Sequence, residues 1–225
     1  MSIPYYVPPE LLIKDRSDFA RSGVAKGKPV VIASVREGIV LVTENPSASL
    51  RKISEIYDRI AFAGVGRYNE FEALRVAGIR YADLRGYAYD RADVTARSVA
   101  AAYAQTLGAV FTGEPKPLEV ELAVAEVGER PAEDQFFRIS FDGSVAQITG
   151  LLVIGGGAED LTARLREELP TAPRLSDVLV RVVGKDGGGW EAAVLRRGAE
   201  RRAFARLSES ELKAAVSSRR RKGSA

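Results

Sequence analysis

Apolar positions along the chain recur with two periods, 3.6 and 2, that alternate in blocks. Pro8 and Pro9 open a polar, helix-prone stretch in which Leu12 and Phe19, seven residues apart, share one face. This predicts a helix over residues 9–22, stopped by Gly23. The period then shortens. Val30, Val31, Ile32 and Ala33, a Glu37-Gly38 turn, and Ile39, Val40, Leu41 and Val42 read as a hairpin. It is apolar on both faces, whereas a half-exposed strand would alternate, so it is expected to be covered on both sides. Strands are predicted over 51–56 and 60–65, broken at Tyr57, Asp58 and Arg59.

Two helices follow. The first carries Phe71, Leu74, Gly78 and Tyr81 on one face, the second Val99, Tyr103, Leu107 and Val110. Small residues beside those faces, Ala77, Gly78 and Ala100 to 102, permit close approach of two helices or of a neighbouring subunit. Strand periodicity resumes with Val120, Leu122 and Val124, and Phe137, Ile139 and Phe141 lead through Asp142-Gly143 into Val145 and Ile148 as a hairpin. After Leu151 to Ile154 come three glycines and a helix with Leu161, Leu165 and Leu169. A short helix with Leu175, Val178, Leu179 and Val182 follows, then strands over 190–195 and 203–207. Ser208 and Glu211 form a capping box for a last helix.

The order is strands, two helices, strands, two helices, strands. Blocks of hairpin-linked strands argue for antiparallel sheets, and paired helices argue for outer layers. The expected fold is therefore α+β, a four-layer α-β-β-α sandwich of two antiparallel sheets with an extra N-terminal helix.

Composition narrows the chemistry. A chain of 225 residues with 46% apolar and 28% charged residues is sufficient for one ample core. It contains no His and no Cys. A Ser-His-Asp relay, a cysteine nucleophile, a cysteine-rich zinc site and a histidine base all require side chains the sequence lacks. No cofactor or metal motif is present. Gly155, Gly156 and Gly157 precede Glu159 and Asp160, carboxylates that compete with any anion at a helix N-terminus, so they read as a strand-to-helix turn rather than a phosphate loop. The net charge of +3 is small and much of it sits in the tail residues Arg219, Arg220, Arg221 and Lys222, which predicts a solvated tail and no nucleic-acid partner. No apolar run reaches membrane-spanning length, and the N-terminus lacks the order of a signal peptide, so a cytoplasmic location without membrane contact is expected.

Three segments carry a family resemblance. SLRKISEIYDRIAFAGVGRYNEFEALR and GYAYDRADVTARSVAAAYAQTLGAVFT are similar to proteasome α-type subunits in their actinobacterial form, and YYVPPELLIKDRSDFARSGVAKG resembles that form's gate and first helix. The stretch between Arg174 and Trp190 is shorter than the family's usual fourth helix and loop. The resemblance implies the N-terminal-nucleophile hydrolase fold and divides the chain into a gating segment 1–8, a single domain 9–216 and a disordered basic tail 217–225. Active members of that fold attack peptides with a threonine that begins the first strand, its own α-amino group acting as base. Here a helix and Lys26, Gly27, Lys28 and Pro29 precede that strand, and Thr43 ends the second. The resemblance therefore implies a non-catalytic member of a seven-membered α ring stacked on β subunits. The alternative is a self-processing amidohydrolase of the same fold, which needs a Gly-Thr or Gly-Ser junction opening a strand; Ser22-Gly23 has the reverse order, and Gly143-Ser144 falls in the predicted hairpin turn.

The resemblance also implies two functional regions. Lys52 and Gly27 match the pocket that receives an activator's C-terminal tail, such as that of a ring-shaped ATPase. Lys52 would pair with the terminal carboxylate, Gly27 would let the peptide approach, and Arg67 would add a second cation. Glu55 is the alternative partner for Lys52. Ile3, Tyr5, Tyr6 and Pro8 belong to the short aromatic segment expected to converge on the ring axis as a gate.

Overall fold

The computed structural model describes residues 8–47, 49–183 and 189–218. The chain forms α1 (Pro9–Ala25), β1 (Val30–Val35), β2 (Gly38–Glu44), β3 (Ile53–Tyr57), β4 (Ile60–Gly66), α2 (Tyr68–Ala88), α3 (Ala96–Gly113), β5 (Val120–Glu126), β6 (Gln135–Ile139), β7 (Val145–Ile148), β8 (Leu151–Ile154), α4 (Ala158–Glu168), α5 (Leu175–Val183), β9 (Trp190–Arg196), β10 (Phe204–Arg206) and α6 (Glu209–Ser218). The strands make two antiparallel five-stranded sheets, ordered β10-β9-β2-β1-β8 and β3-β4-β5-β6-β7.

Three apolar clusters show why the first hairpin does not alternate. Val30 and Ile32 of β1, with Ile39 and Leu41 of β2, face Ala61, Ala63, Ala123 and Phe136 of the second sheet. The intervening Val31, Ala33, Val40 and Val42 lie under Leu165, Val178, Leu179 and Leu212 of α4, α5 and α6. On the opposite side, Phe62, Leu122, Val124 and Phe137 are covered by Phe71 and Leu74 of α2 and Val99, Tyr103 and Leu107 of α3. Each sheet thus has one face on its partner and one under helices, the four-layer sandwich expected from the sequence. The small residues of α2 serve the close approach expected of them, because a Cβ at Gly78 would overlap the Tyr103 hydroxyl.

Two boundaries differ from the sequence reading. Helix α1 runs through Gly23 to Ala25, because Gly23 is a packing residue rather than a stop: a Cβ there would lie 2.6 Å from Glu119 Cβ. Strand β3 starts at Ile53 rather than at 51, because a side-chain carboxylate, that of Glu191, takes the Lys52 and Ile53 amides. The capping box at α6 forms as read, with Glu211 Oε2 accepting from Ser208 N at 2.7 Å and Ser208 Oγ accepting from Glu211 N at 3.3 Å. Gly155 and Gly157 make the β8–α4 turn with φ of 96° and 70°. Gly155 N donates to Glu121 Oε2 at 2.7 Å, so a carboxylate occupies the amide that a phosphate loop would offer. Residues 184–188 of the shortened stretch, and tail residues 219–222, lie outside the described residues. No helix among the described residues is long and apolar enough to cross a membrane.

Candidate functional site

One end of the sandwich gathers the residues singled out above. Strands β1, β3, β5 and β9 begin there, and β2, β4 and β8 finish there, as the pairings Val30 with Thr43 and Ile154, Glu44 with Trp190, and Gly66 with Val120 require. Helix α1 lies against this end. Its Arg16 donates to Phe111 O at 2.7 Å, and its Gly23 packs on Glu119.

Lys52 sits on the segment leading into β3, half-buried. Its ammonium donates to Lys28 O at 3.0 Å, one residue beyond Gly27. Gly27 is wedged against Val65, and a Cβ there would stand 3.3 Å from Gly66 N. Arg67 follows Gly66 as the residue that opens α2. Lys52, Gly27 and Arg67 therefore form one contiguous patch, although 40 positions separate the first and last in sequence order. Glu55, the alternative partner of Lys52, is instead held by Arg202 at 2.6 Å. Among the described residues no carboxylate forms an ion pair with Lys52. Burial pushes its pKa below the ordinary lysine value, while the fields of Glu191 and then Glu44 raise it and that of Lys28 lowers it.

The three cations of the patch differ in how much of their charge is already answered. Lys28 pairs with Glu44 at 2.9 Å. Arg67 Nε lies 2.7 Å from Glu119 Oε1, and Arg67 N donates to Glu119 O at 3.0 Å. Glu119 is further tied to Lys116 at 3.2 Å, and its amide donates to Glu70 Oε2 at 2.6 Å. Lys52 alone of the three keeps donors directed at no carboxylate among the described residues.

Two buried acids that the sequence reading did not single out organise this patch. Glu119 is the seat of Arg67. Glu191, 3% exposed, accepts from Lys52 N at 3.0 Å, Ile53 N at 3.1 Å, Asn45 Nδ2 at 2.7 Å and Arg206 Nη1 at 2.9 Å. The signal for both was an acid at the mouth of an apolar strand, where an isolated charge is costly unless it is bonded. Of the gate residues, Ile3, Tyr5 and Tyr6 lie outside the described residues. Pro8 is exposed and its carbonyl accepts from Leu11 N at 3.0 Å and Leu12 N at 3.2 Å, so Pro8 is tied to the first turn of α1.

The hydroxyls near this end have other duties. Thr43 is fully buried and its Oγ1 donates to Pro29 O at 2.8 Å. Ser144, in the β6–β7 turn, donates its hydroxyl to Asp142 Oδ1 at 2.7 Å. Ahead of β1, Gly27 O accepts from Gly156 N at 3.0 Å and Gly27 N donates to Val24 O at 2.9 Å.

Residues 24–178 match the family described as Proteasome, proteasome subunit. The chain belongs to the proteasome subunit family. Within that family its relatives are α-type. It is 54% identical to "Proteasome subunit alpha" of Kineococcus radiotolerans, covering 92% of this chain and 95% of that protein. It is 57% identical to the protein of the same name from Xylanimonas cellulosilytica, over 92% and 93%. The corresponding protein of Renibacterium salmoninarum is 52% identical over 97% of each. This chain is thus an actinobacterial-type proteasome α subunit by family, and its sandwich is the fold of that family. The matched span includes Gly27, Lys52, Arg67 and Glu119 of the patch, and ends before Glu191.

Proposed function

We propose that this chain is a non-catalytic α-ring subunit of a bacterial 20S proteasome core, which screens substrate access through residues 1–8 and receives activator tails at Lys52, Gly27 and Arg67. The observation that carries the docking reading is the state of Lys52: half-buried, bonded to the carbonyl of the residue that follows Gly27, and without a carboxylate in contact among the described residues. A peptide's terminal carboxylate is the group that such an ammonium lacks, and charge-assisted hydrogen bonds of that kind are roughly twice as strong as neutral ones. Arg67 is already paired with Glu119, so it contributes to the pocket's field more than it offers a free donor.

The non-catalytic reading rests on the first strand. Pro29 and Lys28 precede Val30, and the hydroxyl of Thr43 is spent on the Pro29 carbonyl. A threonine nucleophile needs a free amine on the same residue, and no such residue stands at the start of β1. The names of the relatives, proteasome subunit alpha, support assembly with other proteasome subunits.

Two measurements on the core reconstituted with its β subunits test these roles. Deleting residues 2–8 is expected to raise hydrolysis of a fluorogenic peptide, and unchanged rates would remove the gating role. Lys52→Ala is expected to weaken binding of activator tails by about tenfold or more, the size of one lost charge-assisted bond, with ring assembly intact by native mass spectrometry. Normal tail binding by that variant would remove the docking role. The purified subunit alone is expected to keep the mass of the unprocessed chain and to form no adduct with a threonine-directed inhibitor.

A further inference from the structure

The carboxylate of Glu191 is bonded to four donors drawn from three separate parts of the chain. Two are the consecutive amides of Lys52 and Ile53, at 3.0 and 3.1 Å, one on each carboxylate oxygen. The third is Asn45 Nδ2, which also donates to Leu50 O at 2.7 Å and so closes the β2–β3 connection upon itself. The fourth is Arg206 Nη1, whose companion Nη2 donates to Ile53 O at 2.8 Å. Glu191 and Arg206 therefore grip both polar groups of the Ile53 backbone from the edge of the opposite sheet. Strand β3 is an edge strand of its own sheet, and β10, next to β9, is an edge strand of the other. This grip fixes where the chain leaves the loop and enters β3, which is where Lys52 stands.

We propose that Glu191 is the positioning residue for Lys52: by holding the Lys52 and Ile53 amides without bonding the ammonium, it keeps Lys52 in place and free to bind a carboxylate. A direct contact would have consumed the ammonium as an ion pair. A carboxylate turned toward the backbone amides supplies the field and leaves the donors open. The arrangement requires an acid, because a neutral amide at 191 has one acceptor oxygen and would turn its own donors onto at least one of the four donors now bound. The groups that face Lys52 are Glu191 on β9, Glu44 at the end of β2 and Lys28 ahead of β1. Glu44 is engaged by Lys28, and Glu191 exerts the larger upward pull on the Lys52 ammonium, against the opposing effect of burial. The docking role of Lys52 rests on the reading given above, but its positioning by Glu191 is testable without any activator.

The test is competitive amine labelling of the full-length subunit with acetic anhydride across a pH series, with the Lys52 peptide quantified by mass spectrometry. Glu191→Gln is expected to move the labelling profile of Lys52 to lower pH and to raise its rate at fixed pH by about threefold or more, because a supporting negative charge is lost. Glu191→Asp, which retains the charge, is expected to restore most of the profile. Should Glu191→Gln fold poorly, Arg206→Gln reads the same device with the opposite sign: the carboxylate loses its cation and the Lys52 profile moves to higher pH. Profiles unchanged from the native chain in the folded variants overturn the inference. If the profiles move as expected while Lys52→Ala leaves tail binding intact, the docking reading falls and the positioning by Glu191 stands.

Discussion

A single absent methyl group sets how closely α1 approaches the sandwich. Gly23 lies in the helix with the Glu119 side chain packed against its Cα, and a Cβ would stand 2.6 Å from Glu119 Cβ and 2.8 Å from Cγ. Two effects of Gly23→Ala oppose each other. On an open helix face alanine is favoured over glycine by roughly 1 kcal/mol, whereas forcing a methyl into a closed contact costs about 1–3 kcal/mol. Glu119 cannot withdraw freely, because it holds Arg67 and Lys116. The overlap therefore wins, and Gly23→Ala is expected to lower stability by about 1–2 kcal/mol, read as a lower urea midpoint with an unchanged slope. A stabilised variant would mean that α1 lies free of Glu119. The glycine was visible in the sequence as a helix breaker, but its use is set by a residue 96 positions later, which no local pattern reveals.

Among the elements, the end of the sandwich remote from Lys52 is held by one buried ion pair. Asp134, just ahead of β6, accepts from Arg197 Nη1 at 2.8 Å and Nη2 at 2.9 Å, from Ser34 Oγ at 2.5 Å and from Gly128 N at 2.9 Å. Arg197, just after β9, also donates to the Gly128 carbonyl at 2.7 Å and reaches those of Val35 and Gly38. The pair thus joins β1, β2 and β9 of one sheet to β6 of the other. With the carboxylate 1% and the guanidinium 12% exposed, removing one partner leaves a buried charge uncompensated. Asp134→Asn is expected to cost about 3–5 kcal/mol, measured by urea unfolding. A loss below 1 kcal/mol would show that water reaches Arg197. The elements themselves were largely legible, because both faces of β1 and β2 and the helix stripes over Phe62 and Val42 follow from period alone. Local chemistry was equally legible, as at Ser208 and Glu211. What period could not give was the start of β3, where a carboxylate 139 residues away substitutes for a strand partner.

At the scale of the whole molecule, the absence of histidine and cysteine governs the response to pH. No side chain with an ordinary pKa between about 5 and 8 is available to titrate. Glu72 is held below its ordinary value of 4.5 by the hydrogen bonds of Arg75, Glu133 by those of Arg130, and Glu211 by the Ser208 amide and hydroxyl. A depressed carboxylate binds fewer protons folded than unfolded, so its contribution is complete above pH 4.5 and is lost as pH falls through the folded value. Stability is expected to be flat from about pH 6 to 8 and to decline on acidification below 4.5, traced by urea midpoints across the range. A step near neutrality would contradict this. The candidate site was legible to a different degree from the fold. Lys52, Gly27 and Arg67 came from resemblance in two segments, while Glu119 and Glu191 act across sequence separations that only folding closes.

The fastening of Gly27 has a consequence for the life history of the chain. Its carbonyl is bonded to Gly156 and its Cα is pressed on Val65, so the stretch ahead of β1 is stitched to both sheets. A hydrolase of this architecture gains its working amine by shedding a leader at that spot. In this chain the stretch at that spot is fastened to Gly156 and packed on Val65, so cutting it away is expected to unpick the patch around Lys52.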